Sequence, residues 1–146
     1  PLKVQRHVDF YIGLKRNMCT HLSSGEYIVN FDDDDLYAPN YTDTMISAMR
    51  EQSCEAITLR SWFVFEASTG KIGHVDPVAA VAQGRCSPEL ADQWVFGYGF
   101  SYVFTQALAM SLRYPHCDLG EDYEFMKYVR LRHLRAARPK AEQDGL

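Results

Sequence analysis

No apolar run in this sequence approaches the roughly 18 residues of a membrane span, so no transmembrane helix is expected. Cysteine is sparse and scattered: Cys19, Cys54, Cys86 and Cys117 form no CxxC pair and no Cys/His cluster. That spacing suggests neither a zinc site nor a small disulfide scaffold, and leaves buried or idle thiols. His21, His74 and His116 lack metal-ligand spacing and receive no role. Positive charge is not in excess either. The formal net charge is -4, which speaks against a general nucleic-acid binder, so no nucleic-acid partner is expected. The stretch "GYGFS" at 97–101 does not complete a GxGxxG dinucleotide loop. No internal repeat or low-complexity tract is present.

The chain has 146 residues, 47% of them hydrophobic and 13% aromatic. That is enough for one globular domain with a real core, so residues 1–146 are read as a single unit. Charge is unevenly spread: Lys127, Arg130, Arg132, Arg135, Arg138 and Lys140 fall in a segment without a single acid. Such a stripe reads as a solvated helix face, with contact to phosphate or a membrane surface as the alternative.

Apolar periodicity predicts a strand at "VDFYI" (8–12) and a helix over "GLKRNMCTHLSSG", where Leu14, Met18 and Leu22 recur at i, i+4, i+8. "EYIVNF" reads as a second strand, returning parallel to the first. "APNYTDTMISAMREQ" suits an amphipathic helix with Met45, Ala48 and Met49 on one side. "AITLRSWFVFE" predicts a strand that turns through "ASTGK" into "IGHV" as a hairpin. Residues 76–92 read as irregular or a short helix. "QWVFGYGFSYVF" predicts a strand, "TQALAMSLRY" a helix, "PHCDL" a loop and "GEDYEFMKYVRLRHLRAAR" a long final helix. Alternation of this kind is the signature of an α/β sheet, whose ligands bind beyond the carboxyl ends of the strands.

Four consecutive aspartates, Asp32 to Asp35, stand at such a strand end. Two carboxylates about 4 Å apart repel by roughly 4 kcal/mol at an effective dielectric near 20, so the cluster needs open water, shifted pKa values or a cation. In an extended backbone Asp32 and Asp34 share one face and Asp33 and Asp35 the other. A DxD of this kind holds Mg²⁺ or Mn²⁺ bridged to a nucleoside diphosphate; a solvated acidic turn is the other reading. The spacing excludes an EF-hand. In "DLGEDYEF", Asp118 and Glu121 read as a capping box for the last helix, while Asp122, or Glu121, reads as a general base. "KRN", Lys15 to Asn17, is either a solvated helix face or, through the Arg16 fork, a contact to a base carbonyl or phosphate. Trp62, Trp94 and Tyr98 belong either to the core or to a sugar-stacking wall.

Three stretches in this order, "GLKRNMCTHLSSGEYIVNFDDDDLYAPNY", "GYGFSYVF" and "GEDYEFM", resemble the family 2 glycosyltransferases with the GT-A fold. The resemblance implies a mixed, mostly parallel sheet flanked by helices, and a partial catalytic domain lacking the family's N-terminal strands. It implies a nucleotide-sugar donor of the UDP type held through Mn²⁺ or Mg²⁺. In that scheme Asp34 is the main metal ligand, Asp32 or Asp33 serves ribose and the metal shell, and Lys15, Arg16 and Asn17 lie near the nucleotide. Asp122, with Glu121 beside it, stands in the place of the catalytic base of inverting members. The implied acceptor is a glycan, protein or lipid. Two other readings stay open: a non-catalytic nucleotide-sugar or metal-binding relative of the fold, and another metal-dependent enzyme such as a nucleotidyltransferase.

Overall fold

In the computed structural model, which describes residues 10–131 and 136–137, the elements in chain order are α1 (Ile12–Leu22), β1 (Tyr27–Val29), α2 (Tyr41–Glu51), β2 (Ala56–Ile57), β3 (Trp62–Glu66), β4 (Lys71–Val75), α3 (Pro77–Ala82), α4 (Pro88–Phe96), a 3-10 turn (Gly99–Ser101), β5 (Val103–Thr105), α5 (Gln106–Ser111), α6 (Glu121–Leu131) and β6 (Ala136–Ala137). One sheet has the order β1-β5-β2-β6, and β3 and β4 form a separate hairpin. The fold is therefore mixed α/β. No helix among the described residues is long and apolar enough to cross a membrane.

Successive side chains of a strand leave on opposite faces, and each face of the sheet finds its own cover. Ile28, Ala56 and Phe104 point into a core shared with Val95, Phe96, Leu108, Phe125, Met126 and Val129 from α4, α5 and α6. Their neighbours Ile57 and Val103 point the other way, onto Met45 and Met49 of α2. These two methionines, a helical turn apart, are each 1% exposed, so α2 buries the stripe that its periodicity predicts. Full burial of such side chains stabilises the fold by about 1.5–3 kcal/mol each.

Several expected elements differ. The sheet is not mostly parallel: β5 runs antiparallel to both β1 and β2, and only β2 and β6 pair in parallel. β1 and β2 do run the same way, as strands joined through a helix should, but β5 lies between them. Val8 and Asp9 of the expected first strand lie outside the described residues. Phe10 and Tyr11 are not in a strand, and Ile12 already opens α1. There the Asp118 carboxylate accepts from the Ile12 N–H at 3.0 Å, which caps the helix at that point. "AITLRSWFVFE" breaks into β2 and β3. The break follows from Ser101, whose hydroxyl accepts from Leu59 N–H at 3.3 Å and pairs with the Thr58 hydroxyl at 2.7 Å, diverting the chain from the ladder.

"QWVF" is helical, the end of α4, and residues 76–92 carry α3 and the start of α4. In each case a capping side chain precedes a proline at the first helical position: Asp76 accepts from Ala79 N–H and Ser87 from Leu90 N–H. That pairing is a strong helix start, and it outweighs the strand propensity of the Trp-Val-Phe run. Among the described residues the final helix covers Glu121–Leu131. Ala136 and Ala137 pair with β2 as β6, so it does not extend to Arg138 as expected. Much of the basic stripe lies outside the described residues; within them Lys127 pairs with Glu124 and Arg130 with Asp92.

Candidate functional site

Beyond the end of β1 the chain is pinned by side chains before it reaches the aspartates. Asn30 donates through its amide to Gly99 O at 3.1 Å and to the Tyr114 hydroxyl at 3.2 Å. The Tyr37 hydroxyl accepts from Asp32 N–H at 3.0 Å and donates to Phe100 O at 2.9 Å, while the Tyr41 hydroxyl donates to Ser101 O at 3.0 Å. The rings of Phe31, Tyr37 and Tyr41 pack edge to face at 4.4 to 5.9 Å. These contacts lash the acidic segment to the 3-10 turn.

The segment itself is a turn, closed by Asp35 N–H to Asp32 O at 3.4 Å, not the extended backbone that would set Asp32 and Asp34 against Asp33 and Asp35. Carboxylate oxygens of Asp32, Asp34 and Asp35 consequently lie within 4.8 Å of one another, and Asp33 is not in that group. Burial, and then the charges of Asp34 and Asp32, hold the Asp35 carboxyl above its ordinary pKa. Three converging carboxylates are the hard oxygen donors that Mg²⁺ and Mn²⁺ accept. Part of their repulsion is offset at Asp32, whose Oδ1 lies 3.5 Å from the Arg16 guanidinium.

Arg16 joins this turn to the other end of the chain. Its Nη2 is 3.5 Å from Asp32 Oδ1, and its Nε is 3.4 Å from Asp122 Oδ1 and 3.7 Å from Glu121 Oε1. Nη2 also donates to Asp122 Oδ2 at 3.5 Å. Burial works against the Arg16 charge, but Asp122, Tyr114, Asp32 and Glu121 together hold its pKa above the ordinary value. The guanidinium also lies over the Tyr114 ring, 5.8 Å from its centroid. Lys15, one residue earlier, is exposed and does not join these ion pairs. Asn17 is spent on architecture: its side-chain amide exchanges two 2.9 Å hydrogen bonds with the backbone of Tyr114.

Asp122, the second residue of α6, lies beside Gly99. Its Oδ2 accepts from Gly99 N–H at 2.9 Å, and a Cβ on Gly99 would overlap the carboxylate, so only glycine lets the turn approach this closely. The residue is 8% exposed. Burial raises its carboxyl pKa, Arg16 and the Gly99 N–H pull it back, Glu121 raises it again, and it is pushed up to about 6. Oδ1 and the Arg16 Nε are buried without a hydrogen-bond partner. The expected capping box is absent here, because Asp118 caps α1 instead of α6. Glu121 is buried at the first position of α6 and faces Arg16.

No protein-family model matches the chain, and no curated protein matches it. The site is thus described by its own chemistry: one cation, Arg16, among Asp32, Glu121 and Asp122, with Asp34 and Asp35 flanking Asp32. Sequence reasoning singled out Arg16, Asp32, Asp34, Glu121 and Asp122, which the fold brings to one place, and Lys15, Asn17 and Asp33, which do not enter the ion-pair or carboxylate groups. It passed over Tyr37 and Tyr114, left Asp35 out of the ligand set, and read the stretch 97–101 that holds Gly99 as close packing or a cleft wall. For Gly99 a signal existed, since a glycine between two aromatics beside a strand marks a close backbone approach.

Proposed function

We propose that this chain is a metal-dependent glycosyltransferase domain of the GT-A type. It moves a sugar from a nucleotide-diphosphate donor of the UDP type to an acceptor hydroxyl, with inversion. The observation that carries the reading is Arg16, which links Asp32 to Asp122 across 90 residues of sequence. Two motifs that the resemblance assigns to donor and to base are thereby joined through one guanidinium.

Asp32, Asp34 and Asp35 would hold the cation, Mn²⁺ or Mg²⁺, with Asp34 and Asp35 exposed toward the donor. When bound, the ion supplies charge neutralisation for the diphosphate leaving group. Arg16 orients a phosphate or base carbonyl by exchanging one of its carboxylates for that oxygen. Asp122, with a pKa near 6, is ionised at neutral pH yet basic enough to take the acceptor proton. The acceptor oxygen forms its bond to the anomeric carbon as the bond to the diphosphate oxygen breaks, and the proton ends on Asp122. A second reading, a non-catalytic module, is favoured by the enclosure of Asp122 between Gly99 and Arg16.

Calorimetric titration of UDP with and without Mn²⁺ tests the donor half, and release of UDP in the presence of a UDP-sugar tests turnover. Binding that needs both the ion and Asp34, with Asp122→Asn sparing binding but removing transfer, supports the transferase. Ion-dependent binding with no turnover in the wild-type chain favours the module, and binding indifferent to Mn²⁺ and to Asp34→Asn removes the metal assignment.

A further inference from the structure

Outside the acidic turn, one part of the surface is notably aromatic. Trp94 and Tyr98 are 40% and 43% exposed although both are large and apolar. Their rings meet edge to face at 6.4 Å, Tyr98 meets Trp62 at 5.5 Å, and Trp62 meets Phe100 at 5.6 Å. Tyr98 and Phe100 flank Gly99, the residue whose N–H grips Asp122. Trp94 also forms part of the wall of a cavity of about 520 Å³ between β4, α3 and α4, where His74, Asp76, Gln83 and Arg85 contribute polar groups. This volume falls within the range of about 300–1000 Å³ usual for small-molecule sites.

A flat indole beside planar amide, guanidinium and carboxylate groups matches one ligand chemistry well. A sugar ring offers a face of C–H bonds to stack on the indole and a rim of hydroxyls for the polar groups. From this juxtaposition we infer that the acceptor is an uncharged saccharide, which lies in the cavity against Trp94 and reaches along Tyr98 toward Asp122. The inference rests on the transferase reading, since it takes Asp122 as the group that the acceptor hydroxyl meets. Trp94 and Tyr98 are binding residues in it, and they take no part in holding the donor.

The test is saturation-transfer NMR of the full chain against a panel of soluble α- and β-linked disaccharides covering common hexoses and N-acetylhexosamines. UDP–Mn²⁺ titration is run on the same samples. At least one disaccharide should receive saturation at its ring C–H protons, and Trp94→Ala should weaken that binding about tenfold while leaving UDP–Mn²⁺ affinity unchanged. Tyr98→Ala, a second surface change, should weaken it as well. UDP–Mn²⁺ binding with no disaccharide bound at millimolar concentration overturns the inference and leaves the donor half of the transferase reading standing. Disaccharide binding insensitive to both variants also overturns it. Trp94-dependent disaccharide binding without UDP–Mn²⁺ binding keeps the saccharide site and discards the transferase.

Discussion

Replacing Asp122 by asparagine should make the protein more stable relative to the wild type as pH rises, while removing transfer. In the folded chain the carboxyl is pushed up to about 6, against an ordinary value of 3.8. Below pH 3.8 it is protonated whether the chain is folded or not, and its burial carries no ionisation penalty. Between these values the unfolded chain has released the proton and the folded chain keeps it, so stability falls as pH rises. Above about 6 both forms are ionised and the penalty is complete. A gap of about two pH units at 1.36 kcal/mol each amounts to about 3 kcal/mol. Asparagine retains an acceptor for the Gly99 N–H but cannot ionise, so the variant escapes this penalty. Urea unfolding of both proteins, followed by circular dichroism from pH 4.5 to 7.5, should show their stability difference moving in favour of Asp122→Asn by about 2 kcal/mol across that range. Titrating groups that do not face Asp122 are common to both proteins and cancel. A difference constant with pH, or one moving toward the wild type, would refute the argument, because it would mean that Arg16 holds the carboxylate ionised to low pH.

The same carboxyl must be ionised to act as a base, so the transfer rate should rise with pH through about 6 and then level; a rate flat from pH 5 to 8 would remove Asp122 from that role. Within the acidic turn, Asp34→Asn and Asp35→Asn should each weaken Mn²⁺-dependent UDP binding about tenfold or more. Asp33→Asn should change it little, because Asp33 lies outside the carboxylate group; equal losses at all three positions, read by calorimetry, would contradict the geometry. Gly99→Ala drives a methyl into the Asp122 carboxylate and should cost about 1–3 kcal/mol of stability in thermal unfolding, together with most of the transfer rate. Asn17→Ala strands the Tyr114 N–H and C=O and should cost about 1–3 kcal/mol for each group left unsatisfied; a cost under half a kilocalorie would mean that water replaces the amide.

Legibility in the sequence followed the range of the interactions involved. Helix α2 was readable because Met45 and Met49 declare its buried stripe within one turn, and the β3–β4 hairpin because Thr69 and Gly70 mark its turn between two strand-forming runs. Helices α3 and α4 carried their start signals, Asp76-Pro77 and Ser87-Pro88, but Trp94, Val95 and Phe96 have strand propensity, and local propensity yields to a good cap followed by buried Ala91, Val95 and Phe96. What could not be read locally was long-range. Asp118 stands three residues before Glu121, the spacing of a capping box, yet it serves Ile12, 106 residues away. Asp35 was set on the wrong face because an extended backbone was assumed where Tyr37 holds a turn. Arg16, Asp32 and Asp122 were picked out singly; that one guanidinium would bridge them is a property of the packed chain.

The seam between α1 and the segment 114–118 also sets when the site comes into being. Asp118 to Ile12, Asn17 to Tyr114 and Cys117 O to Gly13 N–H all close loops of roughly a hundred residues, and closures of that span come late because their entropy cost must be met before the contacts are gained. On a ribosome Arg16 and the four aspartates emerge long before Asp122 exists to meet them. The Arg16 cluster is thus among the last parts of the molecule to assemble, so its ability to bind a ligand in a refolding experiment reports that the two ends of the chain have found each other.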